Sequence, residues 1–561
     1  MAPIMFLLVL FRLLTEGDGS DADSCHDVVV VGGGVGGTYA AWKLRQEGLK
    51  VGLYEFSNRL GGRYFTHHFS EAPDVPVELG AMRLQKENHP VLYRTIYDVG
   101  LKTEKFGGHG NPERLLYYLR GSYLNGSDFK VNNVPYNLRH YESHGISEID
   151  RYLTLRTNFS GDLSSLNEER PFIVSEDGVK LVDQTFTPSG HFTYFYRYLE
   201  FLEKYLSKDA IKLLQHVIVY GLRNVTAAVE LTFTPPVGPL PPVPDMLTIS
   251  GGMQKLPERL VELFLSASSK HSVHMNHKLV SIRRQTKDRQ VLGFLKTVTK
   301  DGRTYSTRES TTVCTRRVVL AIPIQSLLDI NSEVLKRSDI RPNLNSINEH
   351  KCSKLFLLYD FPWWKNNRVC QNTDSSSIQA TINNYVQSWI SNGGRPNGVV
   401  GPSIHSDLPL DITIDFGFSR TTGKAVLLAA YNIQEMWTNL QSFGEPIGNG
   451  FNSVSSEVVR HAHLYLAELY NVSFADIPAP TEGIFYNWRE FPYVNAFTYA
   501  KEGTDWIKLW ETIRKLALKE DIFVASGTYS KHMSDSWSEY CLESVDDLLD
   551  NYMRVPFHLR Q

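Results

Sequence analysis

The chain has 561 residues, 42% of them hydrophobic, which is enough to bury more than one core, so two or three structural domains are expected. Its 58 basic and 61 acidic residues leave a net charge of −3. With no polycationic block and no basic-aromatic alternation, nucleic acid is excluded as an expected partner, and no apolar stretch beyond the first residues is long enough for a transmembrane anchor.

Residues 1–20 open with the apolar run Met1 to Leu14 and read as a signal peptide for a secreted protein, although Arg12 interrupts the run and a basic start is missing; a short buried segment is the other reading. Acceptor sequons at Asn125, Asn158, Asn224 and Asn471 fit a glycoprotein on that route. Cys25, Cys314, Cys352, Cys370 and Cys541 are too sparse for a disulfide framework, but one or two bridges are compatible with secretion. Neither His67-His68 nor His461-Ala462-His463 has metal-ligand spacing with cysteines; both read as surface or helix residues, and no metal site is expected.

The first motif is Asp27-Val28-Val29-Val30-Val31-Gly32-Gly33-Gly34-Val35-Gly36-Gly37, a buried strand turning into a helix. Gly32 permits the turn, Gly34 lets a pyrophosphate approach the backbone, and Gly37 lets helix and strand pack closely. Glu55, at the end of the next apolar strand from Val51, stands where a carboxylate accepts from an adenosine ribose. Arg59-Leu60-Gly61-Gly62-Arg63 adds a second glycine pair, with two arginines able to meet the pyrophosphate from the other side. A simple nicotinamide site needs no such insertion, so the dinucleotide expected is a flavin.

Further along, the aromatic run Phe192 to Leu202 suggests a helix in an inserted region, and the proline-rich segment Pro235 to Pro244 a stiff connector. Gly251-Gly252-Met253-Gln254-Lys255-Leu256-Pro257 precedes a periodic helix, and His277 to Ile282 and Arg317 to Pro323 read as strands of the nucleotide domain. Alternation from Leu408 to Gly417 and the apolar run Val426 to Tyr431 suggest a second, more antiparallel sheet, with Asp411 and Asp415 on one strand face.

Taken together, Gly32-x-Gly34-x-x-Gly37, Glu55, Arg59 to Arg63 and Glu78-Leu79-Gly80-Ala81-Met82-Arg83 resemble the flavin-containing amine oxidases, most closely the secreted L-amino-acid oxidases. The resemblance runs from about residue 27 to residue 550. It implies an α/β and α+β fold: a Rossmann-like FAD-binding domain built from 27–100, 250–325 and 486–550, a mixed-sheet substrate domain over 326–485, and helical and substrate-domain segments over 110–240.

The implied activity is oxidation of L-amino acids by molecular oxygen to 2-oxo acids, ammonia and hydrogen peroxide, with bound FAD and, as in relatives, a homodimer. Arg83 inherits the role of binding the substrate carboxylate, a structural ion pair being the other reading, while Gly80, Ala81 and Met82 approach the flavin. Lys354 corresponds to the lysine that holds a water near the flavin; a solvent-facing strand lysine is its alternative. Val280 corresponds to an adenine-contacting valine or is an ordinary strand residue. Trp488, Phe491, Pro492 and Tyr493 resemble an element bordering the flavin pocket.

Departures occur in the terminal element: Thr528 stands where a flavin-contacting glutamate is usual, and Ser536 replaces a glycine before Trp537. Asp411 to Phe416 replaces a segment that supplies a carboxylate-binding tyrosine. Asp415 there would repel a carboxylate or attract a basic side chain, so a preference for basic amino acids is one expectation; a solvated acidic face formed with Asp411 is the other. A noncatalytic secreted binding or defence protein on the same scaffold is the other functional reading.

Overall fold

The computed structural model describes residues 25–45, 48–106, 116–125, 133–139, 206–217, 246–300, 303–350, 352–365, 403–432, 454–488, 497–501, 506–529 and 538–553, together with residues 128, 142, 203 and 504. Along the chain the strands that build the site are β1 (His26–Val31), β2 (Val51–Tyr54), β3 (Thr66–Phe69), β4 (Ala72–Glu78), β5 (Leu116–Leu119), β6 (Ser122–Asn125), β7 (Ser272–His274), β8 (His277–Thr286), β9 (Arg289–Lys300) and β10 (Arg303–Leu320). They continue with β11 (Ser353–Tyr359), β12 (Ser403–Ser406), β13 (Ile412–Phe418), β14 (Ala425–Asn432), β15 (Glu482–Asn487) and β16 (Ile522–Val524). The helices used below are α1 (Val35–Lys43), α2 (Pro90–Asp98), α3 (Lys208–Val217), α4 (Lys255–Ala267), α5 (Ser456–Tyr470), α6 (Trp506–Arg514) and α7 (Ser538–Asn551).

Four consecutive valines make β1 a strand that can be covered on both sides, as a parallel-sheet centre requires. It lies parallel between β2 and β10, in a sheet ordered β7-β2-β1-β10-β9-β8, with β16 parallel to the end of β10. Val28 and Val30 point to one face, where Ala40 of α1, Leu260 of α4 and Leu542 of α7 cover them; Val29 and Val31 point to the other, against Ile513 of α6. Cys25 and Cys314 are joined by a disulfide, which fastens the residue before β1 to β10.

The second sheet is ordered β15-β11-β14-β13-β12-β5-β6, antiparallel except for the β12–β5 pair. Strand alternation divides its side chains between two cores. Phe356, Leu358, Ile412, Ile414 and Phe416 face the segment that carries Phe65, Leu79 and Met82, whereas Leu355, Leu357 and Leu427 face Val458, Ala462 and Leu466 of α5.

Several expectations are revised by this architecture. His67 and His68 lie on β3, not on a helix; His67 is half-buried and packs edge-on against Phe69, while His68 is exposed at the surface as expected. His461 and His463 lie on α5; His463 is buried, its Nε2 3.0 Å from the Tyr359 hydroxyl. The strand expected from Leu408 begins only at Ile412. Asp411 takes a left-handed conformation (φ 55°), and bulges between Ile412 and Ile414 and between Asp415 and Gly417 break the simple alternation. Within 110–240, β5 and β6 join the second sheet and α3 packs beside them. The aromatic run at 192–202, the proline-rich segment at 235–244, the sequons Asn158 and Asn224, and Cys370 lie outside the described residues.

Candidate active site

At the end of β1 the chain turns through Gly32 at φ 109°, a conformation that suits glycine, and a side chain there would meet the Ala321 carbonyl. A side chain at Gly37 would collide with the Gly32 carbonyl, so α1 can seat on the turn only without one. Gly34, the residue before α1, differs: the nearest atoms to the place of a Cβ are Gly62 Cα at 3.8 Å and Gly61 O at 4.0 Å. No side chain caps the helix there, so its first N–H groups remain suited to an anion.

Glu55 closes the other side of this loop. Its carboxylate accepts the Gly33 N–H at 2.6 Å, the Ser57 N–H at 2.9 Å and the Ser57 hydroxyl at 2.6 Å. A carboxylate has about four acceptor positions, so one stays available for a ribose hydroxyl. The second glycine pair packs directly on the first: the Gly61 N–H donates to Gly33 O at 2.8 Å. Arg59 does not reach across the loop as expected. It donates to Gly62 O at 2.7 Å and Tyr64 O at 3.2 Å and lies over the Phe65 ring, holding its own turn in shape. Arg63, in the field of Cys541, Tyr64 and Glu349, is held below the usual arginine range by burial.

From here the chain runs through β4 into Glu78-Leu79-Gly80-Ala81-Met82-Arg83, whose backbone is gripped from three sides. Lys354 Nζ donates to Glu78 O at 3.0 Å and Gly80 O at 2.6 Å, and Trp488 Nε1 donates to Leu79 O at 2.7 Å. A side chain at Gly80 would strike the Arg63 carbonyl and the Trp488 ring, which makes this glycine a requirement of the close approach. The Glu78 carboxylate accepts from Met253 N–H at 2.7 Å and Thr66 Oγ1 at 3.0 Å, tying the strap to the turn before α4. Burial pushes Glu78 up to about 7 and Lys354 down to about 8.

Beneath the strap lies one face of the second sheet. Its register sets a continuous row across six strands: Tyr486, Lys354, Tyr431, Ile412, His405 and Tyr117 are successive cross-strand partners. The Lys354 ammonium lies 4.8 Å from the Tyr431 ring centroid. Arg83 is buried above the same face, its guanidinium 5.9 Å from the Phe106 ring, and Phe106 meets Phe416 edge-on. Its charge acts on both Lys354 and His405. This positions a fixed cation over an aromatic floor.

The carboxylates expected near this face separate. Asp415 lies between Ile414 and Phe416, which point to the strap, and its carboxylate accepts the Gly417 N–H at 3.2 Å and acts on Tyr470 of α5. It therefore belongs to the opposite side of the sheet. Asp411 precedes the strand and acts on Cys352, in the core beneath the strap.

A family model described as flavin containing amine oxidoreductase matches residues 35–544. The chain belongs to the flavin-containing amine oxidoreductase family. This amine oxidoreductase is 28% identical over 559 residues to Achacin of Lissachatina fulica, covering 96% of each chain, and 28% identical over 549 residues to Aplysianin-A of Aplysia kurodai, covering 96% of this chain and 92% of the relative. A solved putrescine oxidase bound to putrescine shares the fold, with a TM-score of 0.60, 14% identity, and coverage of 94% of this chain and 98% of that one.

The cofactor of the family member is FAD, and the residues present fit it. The glycine turn leaves the start of α1 open at Gly34, Glu55 keeps one acceptor position, and the strap is anchored at both of its sheets. The remaining candidates are scattered. Val280 sits at a bulge of β8, its carbonyl accepting the Asn331 N–H at 2.9 Å. Thr528 is buried in a single turn, Gly527–Tyr529, where its N–H donates to the Ser526 hydroxyl. Trp537, Ser536, Phe491, Pro492 and Tyr493 lie outside the described residues. Sequence reading passed over His405, Tyr117, Phe106 and Tyr486, none of which carries a local motif.

Proposed function

We propose that this FAD-dependent oxidase acts on L-amino acids: substrate, oxygen and water give the 2-oxo acid, ammonia and hydrogen peroxide, by way of an imino acid that hydrolyses. The observation that carries the reading is Arg83, a buried guanidinium at the end of the strap, over the sheet face that also bears Lys354. Its planar fork matches a carboxylate through two parallel N–H bonds, a recognition that a plain amine substrate would not use. The two-electron chemistry is supplied by the bound flavin.

Within this reading, Lys354 gives its three N–H groups to the Glu78 and Gly80 carbonyls and the Met82 sulfur, the last a weak acceptor that a water near the flavin would displace. Phe106 and Phe416 keep the substrate face dry, which strengthens the Arg83 contact. Gly32, Gly34 and Gly37 with Glu55 and Arg63 would hold the adenosine and pyrophosphate end, and Gly80, Ala81, Met82, Val280, Thr528 and Trp537 would supply the remaining cofactor contacts. Among the described residues a preference for basic side chains rests on Asp411, and Asp411→Asn is its test. The division into nucleotide segments 27–100, 250–325 and 486–550 around a substrate segment 326–485 is supported by the strands each sheet draws from them.

Secretion after removal of residues 1–20 is supported by the Cys25–Cys314 disulfide, a bond kept in oxidising compartments. Glycosylation is supported by the exposed, left-handed Asn471 at the end of α5. The deciding measurement is the visible spectrum of the purified protein before and after anaerobic addition of mixed L-amino acids. Bleaching of a flavin spectrum is the expected result. A chain that holds no flavin after checks for cofactor loss would instead be the noncatalytic binder.

A further inference from the structure

β1, β10 and β16 end level with one another. Val31, Leu320 and Val524 are successive cross-strand partners, and the Ala525 N–H donates to Leu320 O at 3.0 Å. Ligands of an open parallel sheet lie just beyond such carboxyl ends, so the chain leaving β16 emerges beside the glycine turn that leaves β1. It also meets the first turn of α1. A side chain at Gly36 would run into the Cys541 sulfur of α7 and come within 3.9 Å of Ala525 O. Cys541 closes on the chain after β16 as well, its Cβ standing 3.3 Å from the place of a Cβ at Gly527.

One buried side chain holds both ends of that segment. Arg514, the last residue of α6, is 1% exposed. Its Nη1 donates to Val524 O at 2.9 Å, and its Nη2 donates to Tyr529 O at 3.1 Å and to the Ser544 hydroxyl of α7 at 2.6 Å. Its Nε lies 3.2 Å from the Asp547 carboxylate, also on α7. Tyr529 is pinned a second time by its hydroxyl, which donates to Leu344 O at 2.7 Å. The fork thus fixes where residues 525–529 begin and end, and ties them to the helix whose first turn touches Gly36.

We propose that Arg514 is a positioning residue for the cofactor: by holding Val524 O and Tyr529 O it presses the turn at 525–529 toward the start of α1, and so sets the affinity for FAD. A buried ion pair adds little to stability compared with apolar residues of the same volume, and the arginine's service here is fixed geometry. Thr528 gives this turn no carboxylate to offer the flavin, so its fit depends on where its backbone is held.

The test uses the full-length protein, with the Kd for FAD measured by equilibrium dialysis after the flavin is stripped, beside the melting temperature and hydrogen exchange of the amides at 525–529. Arg514→Lys keeps a charge beside Asp547 but replaces the fork with a point donor. It is expected to weaken FAD about 10-fold, the effect of one lost hydrogen bond from a charged group, and to speed exchange at 525–529. The double variant Arg514→Met with Asp547→Asn removes both charges together, which spares stability, and should weaken FAD at least as much. Leu466→Ala, which opens a cavity under α5 on the far side of the second sheet, is the stability control: it should lower the melting temperature and leave the Kd within about threefold of the parent.

An unchanged Kd in Arg514→Lys and in the double variant overturns the proposal, as does a weakening that Leu466→Ala reproduces at the same loss of melting temperature. Where the double variant does not fold, Arg514→Lys decides alone: weaker FAD with faster exchange at 525–529 upholds the positioning role, and parental values of either one overturn it.

Discussion

Arg83 and Lys354 are both buried cations, but they are held by different means and should fail differently when replaced. Lys354 is fastened to two carbonyls, Glu78 O and Gly80 O, so Lys354→Met leaves two buried acceptors without a donor. Each orphan costs about 1–3 kcal/mol, and the expected result is a loss of thermal stability together with looser flavin retention, read by melting curve and by flavin released on gel filtration. Arg83→Lys keeps the charge and loses the fork. Turnover measured as kcat/KM should drop by about 10- to 100-fold with flavin content unchanged, because one charge-assisted bond of a bidentate pair is removed. Unchanged turnover would show that Arg83 does not hold the carboxylate.

Among the elements, the nucleotide half was the more legible. Four valines, a glycine turn and Glu55 are close in sequence, and the contacts they make are local, so residue type and spacing contained the geometry of β1, α1 and β2. The substrate half depends on strand pairing. His405 meets Ile412 and Tyr117 only because β12 pairs with β13 and β5, and nothing within the run Ser403-Ile404-His405-Ser406 signals it.

Counting in twos puts Asp411 and Asp415 on one face, a rule that the left-handed Asp411 and the two bulges of β13 defeat. Arg59 looked like a phosphate ligand because its competing acceptors are carbonyls, which any residue provides and no sequence marks.

The same scale shows how the last helix is tied in. Glu539, in the first turn of α7, accepts the Val91 and Leu92 N–H groups at 2.8 and 2.7 Å and so caps α2, whose own preceding residue His89 makes no capping bond. Glu539→Ala removes that cap and leaves two N–H groups unpaired, and is expected to lower stability by about 1–3 kcal/mol. A denaturant midpoint equal to that of the parent would mean that α2 finds another cap.

For the whole molecule, buried titratable groups set the response to acid. His26, His67, His89, His405 and His463 are all pushed down to about 4, burial being the first cause in each. Between pH 6.5 and 4 the unfolded chain binds protons at these positions that the folded chain does not, so stability is full above about 6.5 and is lost as pH falls toward 4. Glu78 and Glu539, pushed up to about 7 by burial, act in the opposite sense: they hold extra protons in the fold and lose stability as pH rises through about 4.5 to 7. The histidines outnumber them, so the melting temperature should rise from pH 4.5 to about 6.5 and flatten above it; a melting temperature that falls over that interval would contradict the balance.

The Cys25–Cys314 disulfide spans 289 residues of sequence, and Cys25→Ser or reduction is expected to cost about 2–5 kcal/mol of unfolding free energy in a denaturant titration.

The position of β16 in the nucleotide sheet carries a consequence for how the protein is made. β1 is synthesised long before β16, yet one of the parallel partners of β10 is Ile522–Val524, and α7, which covers the same face as α1, ends at Asn551. The first glycine turn must therefore wait through the synthesis of nearly five hundred residues before its sheet is complete. Until then its valine strand lacks the cover that α7 and β16 complete, and a chain cut short after residue 520 should neither close the nucleotide domain nor keep its cofactor.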